Sequence, residues 1–108
     1  MIMTMDELSN ACMEMICNAG EGRGKVYEAL NDVLKEDYVS ADAKLLEAQH
    51  LLGEAHRVQF EQLMAAQLNG TEIPFSLLLL HAMDISLVST SEHDLLRAVV
   101  SARLNKDA

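Results

Sequence analysis

The chain has 108 residues, the size of one ordinary domain (residues 1–108) with no room for a second. Its formal net charge of −9 excludes a phosphate-backbone grip on nucleic acid, which needs a basic face. The same charge disfavours anionic membrane surfaces and steers encounters towards basic partners.

Half of the residues are hydrophobic yet only four are aromatic, and the apolar load of Leu, Ala, Met, Val and Ile suits helix packing better than sheets. Cys12 and Cys17 stand about 140° apart around one helix, at ~100° per residue, so they do not bridge to each other. Two such thiols, with no secretory signal in the acidic start MIMTMDEL, imply a reducing cytoplasm. The most apolar run, Leu77 to Leu80, is cut by His81 and Asp84, well short of the ~20 residues of a membrane span.

In chain order, the first helix is expected from about Asp6 to Leu34, with Leu8, Cys12, Met15, Ile16, Ala19, Val26, Leu30 and Val33 at helical spacing. Thr4, with Glu7 three residues later, makes a capping box. Gly20, Gly22 and Gly24 each cost up to ~1 kcal/mol inside a helix, so the helix bends there or another backbone packs closely. After a connection at residues 36–38, capped by Ser40 or Asp37, the second helix is expected from about Ala41 to Leu68. Its stripe is Leu45, Ala48, Leu52, Ala55, Gln59, Leu63 and Ala66, and Asn69-Gly70 ends it. Pro74 is expected in the first turn of the third helix, which runs to about Arg103 and leaves a polar tail, LNKDA.

Three long helices with short loops predict an all-α, up-down-up three-helix bundle. The third helix is apolar nearly all round in its first half, which buries the leucine run but exceeds what two neighbours cover. Self-association about a symmetry axis is the expected remedy.

His81 and Asp84, three apart, share a helix face with Leu77, Ile85 and Val88. In an apolar setting a neutral imidazole keeps a usable lone pair, and a carboxylate one turn away would hold its other nitrogen, making His81 a competent nucleophile. The plainer alternative is a core histidine satisfied by its neighbouring aspartate. His56 and Gln59 form a second such pair with Gln59 on the core stripe, where His81 or Asp84 would supply the partners it needs. His50 and His93 read as solvated. Glu47 and His50 match half of a di-iron motif, which needs two copies and further glutamates. Gly20 to Lys25 fails as a phosphate loop, because its first glycine would be Ala19, Val26 follows the lysine and no strand precedes it.

Taken together, SLLLLHAMDISLV (76–88), AHRVQF (55–60) and AGEGRG (19–24) resemble, in order and at the right lengths, the enzyme IIA proteins of the lactose/cellobiose/chitobiose class of the bacterial sugar phosphotransferase system. Typical members read close to SLLLVHAQDHLM, AHxxQT and AGxARS. The resemblance implies a homotrimer of three-helix bundles in the cytoplasm. It implies that His81 accepts a phosphoryl group from the phosphocarrier HPr and passes it to a cysteine of enzyme IIB. It also implies that Asp84 points to the trimer axis, where three copies hold a divalent ion. A hard ion such as Mg²⁺ suits three converging carboxylates. His56 and Gln59, from the same or a neighbouring subunit, are the candidate supporting side chains.

The chain departs from that pattern where Met83 replaces a glutamine, Ile85 a second histidine and Phe60 a threonine. Each change removes polarity near the expected site. The competing reading is a trimeric helical partner-binding or regulatory protein that keeps the core without turning over phosphate.

Overall fold

The computed structural model describes the backbone of residues 1–107 and the side chains of residues 1–105. Thr4 opens helix α1 (Met5–Leu34) through the expected box, its Oγ1 accepting from Glu7 N at 3.1 Å while its own N–H donates to the Glu7 carboxylate at 3.3 Å. The helix passes unbroken through its three glycines. A Cβ at Gly22 would lie 2.9 Å from Leu52 Cγ and 3.4 Å from the Ala48 carbonyl oxygen. Close packing, not a bend, therefore answers the question the glycines raised.

α1 ends in a Schellman turn, with Asp37 N–H donating to Asp32 O and Glu36 N–H to Val33 O, both at 2.9 Å, and Glu36 in the left-handed region at φ 61°. Asp37 then caps the second helix through Ser40 N at 3.2 Å, so that helix starts at Tyr38, earlier than Ala41. It runs as α-helix over Tyr38–Val58, widens into a π turn over Gln59–Met64 and closes as Ala65–Leu68. Residues 38–68 together are α2. Val58 and Leu63 are both buried. Five positions apart, they would diverge on a regular α-helix, and the wider turn brings both inwards. Gly70, at φ 97°, ends α2 in a second Schellman turn, as Asn69-Gly70 predicted.

Pro74 falls outside the third helix, contrary to expectation. Ser76 starts it, its Oγ accepting from Leu79 N at 3.2 Å, and α3 runs over Leu77–Asp107. Most of the expected polar tail is thus helical, because neither Gly nor Pro follows Arg103 to stop it. Ala108 lies outside the described residues. An isolated parallel bridge joins Ile2 to Glu72, and there is no strand among the described residues. No described helix is long and apolar enough to cross a membrane.

The three helices run up, down and up around a core in three layers. At one end Leu8, Cys12, Met15, Val58, Leu63 and Ala82 pack together. Ala19, Leu52 and Ala55, with Ile85 against them, fill the middle. Val26, Ala29, Ala41, Leu45, Ala48 and Val100 close the other end. The inward seam of α3 is made of small or polar residues, Ala82, Ser86, Ser89, His93 and Val100, at steps of three, four and seven. Its large apolar residues point the other way, with Leu77 74 % and Leu95 73 % exposed. The leucine run is therefore not buried within one chain, which corrects the sequence reading. What it buries is half of its positions, Leu78 and Leu79 partly, against the first core layer.

Candidate functional site

His81 stands exposed on the outward side of α3, beside Leu80, and Asp84 is exposed one turn further on. Neither hydrogen-bonds the other among the described residues, so the tautomer-fixing contact expected between them is absent in the single chain. The backbone spacing leaves them on one face, but both side chains reach solvent.

His56 is half-buried on α2, and its Nε2 lies 3.0 Å from Thr90 Oγ1. The Thr90 hydroxyl spends its proton on the Ser86 carbonyl at 2.8 Å, so His56 Nε2–H is the donor. The partner is thus Thr90 rather than His81 or Asp84. Thr90 is nine residues beyond His81, roughly 14 Å along the helix, so His56 and His81 of one chain do not meet. Gln59 begins the π turn and lines a groove with Leu79, Leu80 and Met83, at the level of His81. Gln59 and His81 therefore share one end of the bundle, while His56 sits in its middle.

His93 corrects the sequence reading most clearly. It is buried, 4 % exposed, with Nε2 at 3.0 Å from the Leu45 carbonyl oxygen and Nδ1 at 2.9 Å from Asp94 Oδ1. The missed signal was its place on the seam: seven residues from both Ser86 and Val100. Arg23, from the AGEGRG stretch, donates to Glu92 Oε1 at 2.9 Å, and Tyr27 OH lies 3.2 Å from Glu92 Oε2. This ties α1 to α3 well above His81. The departure at Ile85 is also resolved, since Ile85 packs against Ala19, Leu52 and Ala55 inside the bundle.

The end of the bundle that carries His81 is one-sided in charge. Residues 1–22 and 53–90 hold eight carboxylates and a single Lys or Arg, Arg57. Arg57 is already engaged, by Glu61 at 3.0 Å, Glu54 at 3.1 Å and Glu14 at 4.0 Å. No group of three His, Cys, Asp or Glu side chains fit to hold a metal exists among the described residues. One chain offers one exposed carboxylate at Asp84, an oxygen donor of the kind a hard ion takes, and a site there needs further copies.

Comparison with known proteins identifies the family. The family described as "PTS system, Lactose/Cellobiose specific IIA subunit" matches residues 10–103. The lactose-specific EIIA component of Staphylococcus aureus (strain N315) is 30% identical over 95 residues, covering 88% of this chain and 91% of the relative. The crystal structure of PtcA from S. mutans superposes with a TM-score of 0.89 at 30% identity, over 94% of this chain and 98% of that one. The IIA(Chitobiose) of Escherichia coli, solved in solution as a complex with HPr, gives 0.70 at 26% identity over 94% of this chain and 97% of that one. The chain belongs to the family of lactose/cellobiose-specific IIA subunits of the sugar phosphotransferase system.

Proposed function

We propose that the chain is a phosphoryl carrier in which His81 takes a phosphoryl group from phospho-HPr and yields it to a cysteine of enzyme IIB, in the cytoplasm, during uptake of a sugar. The observation that carries this is the position of His81 itself: an exposed imidazole at the acidic, apolar end of the bundle, inside the stretch that the family match covers. Protein partners must approach the histidine directly, and a solvent-facing ring on a rigid helix permits that.

In the first step an unprotonated ring nitrogen of His81 attacks phosphorus. The N–P bond of the donor histidine breaks as the new one forms, and the other nitrogen of His81 keeps its proton. In the second step the thiolate of enzyme IIB attacks the same phosphorus, and the imidazole leaves. Positioning and charge stabilisation supply the catalysis. Gln59 lies on the α2 flank of α3, the side of Met83 and not of His81, so its amide would meet the phosphoryl oxygens only from a neighbouring subunit. His56, held by Thr90, would reach a phosphoryl group only from another subunit.

The outward leucine face of α3 supports assembly as a homotrimer with the three α3 helices about the axis, as the resemblance implies. Asp84 lies on that outward side, and three copies would supply three oxygen ligands for a divalent ion, Mg²⁺ being the expected one. That ion would neutralise the converging carboxylates, and no step of the transfer runs through it.

The test is a two-stage relay followed by ³¹P NMR. Loading with phosphoenolpyruvate, enzyme I and HPr should give a phosphohistidine resonance, which cognate enzyme IIB discharges. A loaded signal that enzyme IIB leaves intact would remove the second step, and no loading at all would leave the partner-binding reading.

A further inference from the structure

Glu92 and Asp94 stand about 160° apart around α3, at ~100° per residue, with Leu95 73 % exposed on the outward face between them. Each belongs to a separate polar cluster. On the flank of α3 that faces α1, Arg23 Nε holds Glu92 at 2.9 Å and Nη2 donates to Tyr27 OH at 3.3 Å. Its other terminal nitrogen, Nη1, has no partner among the described residues, and the side chain is 37 % exposed. On the flank that faces α2 lies a groove of about 250 Å³ walled by Gln49, His56, Thr90, Asp94 and Arg97. The Asp94 side chain is 71 % exposed and hydrogen-bonds only His93 among the described residues. Arg97 gives an N–H to the neutral Gln49 side chain and meets no carboxylate among the described residues. Phosphoryl transfer uses neither cluster, since both lie about three turns beyond His81.

Threefold symmetry dictates what each flank meets. In a closed ring of three every contact is heterologous, so the α1 flank of one copy faces the α2 flank of the next. Parallel α3 helices about the axis bring equal residue numbers to equal height, and Glu92 and Asp94 differ by only about 3 Å. The signs then match. Each flank holds one guanidinium and one carboxylate, so a partner of a single charge gains nothing from either. The opposite flank of the same chain offers an acid to each cation.

We propose that the two flanks are halves of one joint between neighbouring copies, in which Asp94 of one copy accepts from Arg23 Nη1 of the next and Arg97 faces Glu92. The inference rests on the homotrimer reading and names the contacts that set its register. Apolar packing through Leu87 and Leu95 is non-directional. A slip of one turn, ~5.4 Å, keeps leucines in contact but parts the charges, so the joint fixes height and partner. The same register decides which side chains of the neighbouring copy stand beside His81.

The experiment is sedimentation equilibrium of the full chain over a range of concentrations. Arg23→Glu/Glu92→Arg reverses the α1 flank and keeps its internal pair, and Asp94→Arg/Arg97→Asp reverses the α2 flank. Either reversal alone sets like charges together and should lower the apparent association constant about tenfold or more. Both in one chain restore opposite signs at every joint and should bring it back to within about threefold of wild type. Single reversals that assemble like wild type, or a combined variant no better than either one, would overturn the proposal. If circular dichroism shows that a reversal unfolds the chain, Arg23→Gln and Asp94→Asn take its place. Their effects on assembly should not add, and additive effects would overturn the joint. A failed homotrimer reading looks different, because wild type itself would then sediment as a single chain or a dimer before any variant is made.

Discussion

Ser86 is 1 % exposed against the bundle while Leu87, the next residue, stands 68 % exposed on the opposite side of α3. A small polar residue inside and a leucine outside reverse the usual order, and the reversal repeats along the helix, with Ser89 and His93 buried and Leu95 exposed. Small side chains on the seam let α3 lie close to its two neighbours. The outward face carries Leu77, Leu87 and Leu95, each more than two-thirds exposed, and contiguous apolar patches of this kind mark contact surfaces. Replacing Leu87 and Leu95 together by Lys should reduce the sedimenting mass to that of a single chain and leave the far-ultraviolet helical signal in place. An unchanged mass would mean that α3 is not the assembly face.

The close approach of α1 and α2 at Gly22 sets apart glycines that look alike in sequence. Gly22→Ala puts a methyl group 2.9 Å from Leu52 Cγ, and overpacking of this kind costs about 1–3 kcal/mol. The gain of up to ~1 kcal/mol in helix propensity does not offset it fully. Gly20→Ala and Gly24→Ala meet nothing within 4 Å, so each should stabilise by up to ~1 kcal/mol. Urea unfolding of the three variants checks the order.

Asp32, nearly buried near the end of α1, holds α2 through Lys44 Nζ at 2.8 Å and Ser40 Oγ at 2.8 Å. The Lys44 hydrogen bond first, then that of Ser40, lowers its carboxyl below the ordinary carboxylate value. Its folded form therefore binds a proton less readily than its unfolded form. The stabilisation is complete above the unfolded value, about 4, and is lost as pH falls through the lower folded value. Asp32→Asn should be less stable than wild type at pH 7, with the gap closing as the pH is lowered below about 4. A gap independent of pH would assign the effect to shape rather than charge.

The two cysteines differ in burial, not only in direction. Cys12 lies in the first core layer, where burial raises its thiol's pKa, and Cys17 is exposed. A thiol reagent should label one cysteine in the native protein, Cys17 by peptide mapping, and both after denaturation.

Helix boundaries were legible where side chains announce them: Thr4 with Glu7 starts α1, Asp37, one of the two caps expected, starts α2, and Gly70 after Asn69 ends it. Pro74 misled because a proline near a helix start reads as its first turn, whereas Ser76 offers the actual cap. The π turn leaves no local mark, as it reflects where Val58 and Leu63 must point once three helices are packed. His93 was missed for a related reason. Polarity suggested solvent, and only the heptad-like seam from Ala82 to Val100 shows that its ring enters the core and finds the Leu45 carbonyl. That His81, Asp84 and Gln59 fall at one end of the bundle was legible from their places in the helices. Their exposure was not, because four consecutive leucines look buried on any helical wheel.

The central claim is that His81 carries the phosphoryl group, and the most direct measurement is intact mass after incubation with phosphoenolpyruvate, enzyme I and HPr, for wild type and His81→Ala. The account predicts one acid-labile phosphoryl group per wild-type chain and none on the variant. A folded wild-type protein that gains no mass with its cognate donors, or a variant that still gains it, would contradict the account.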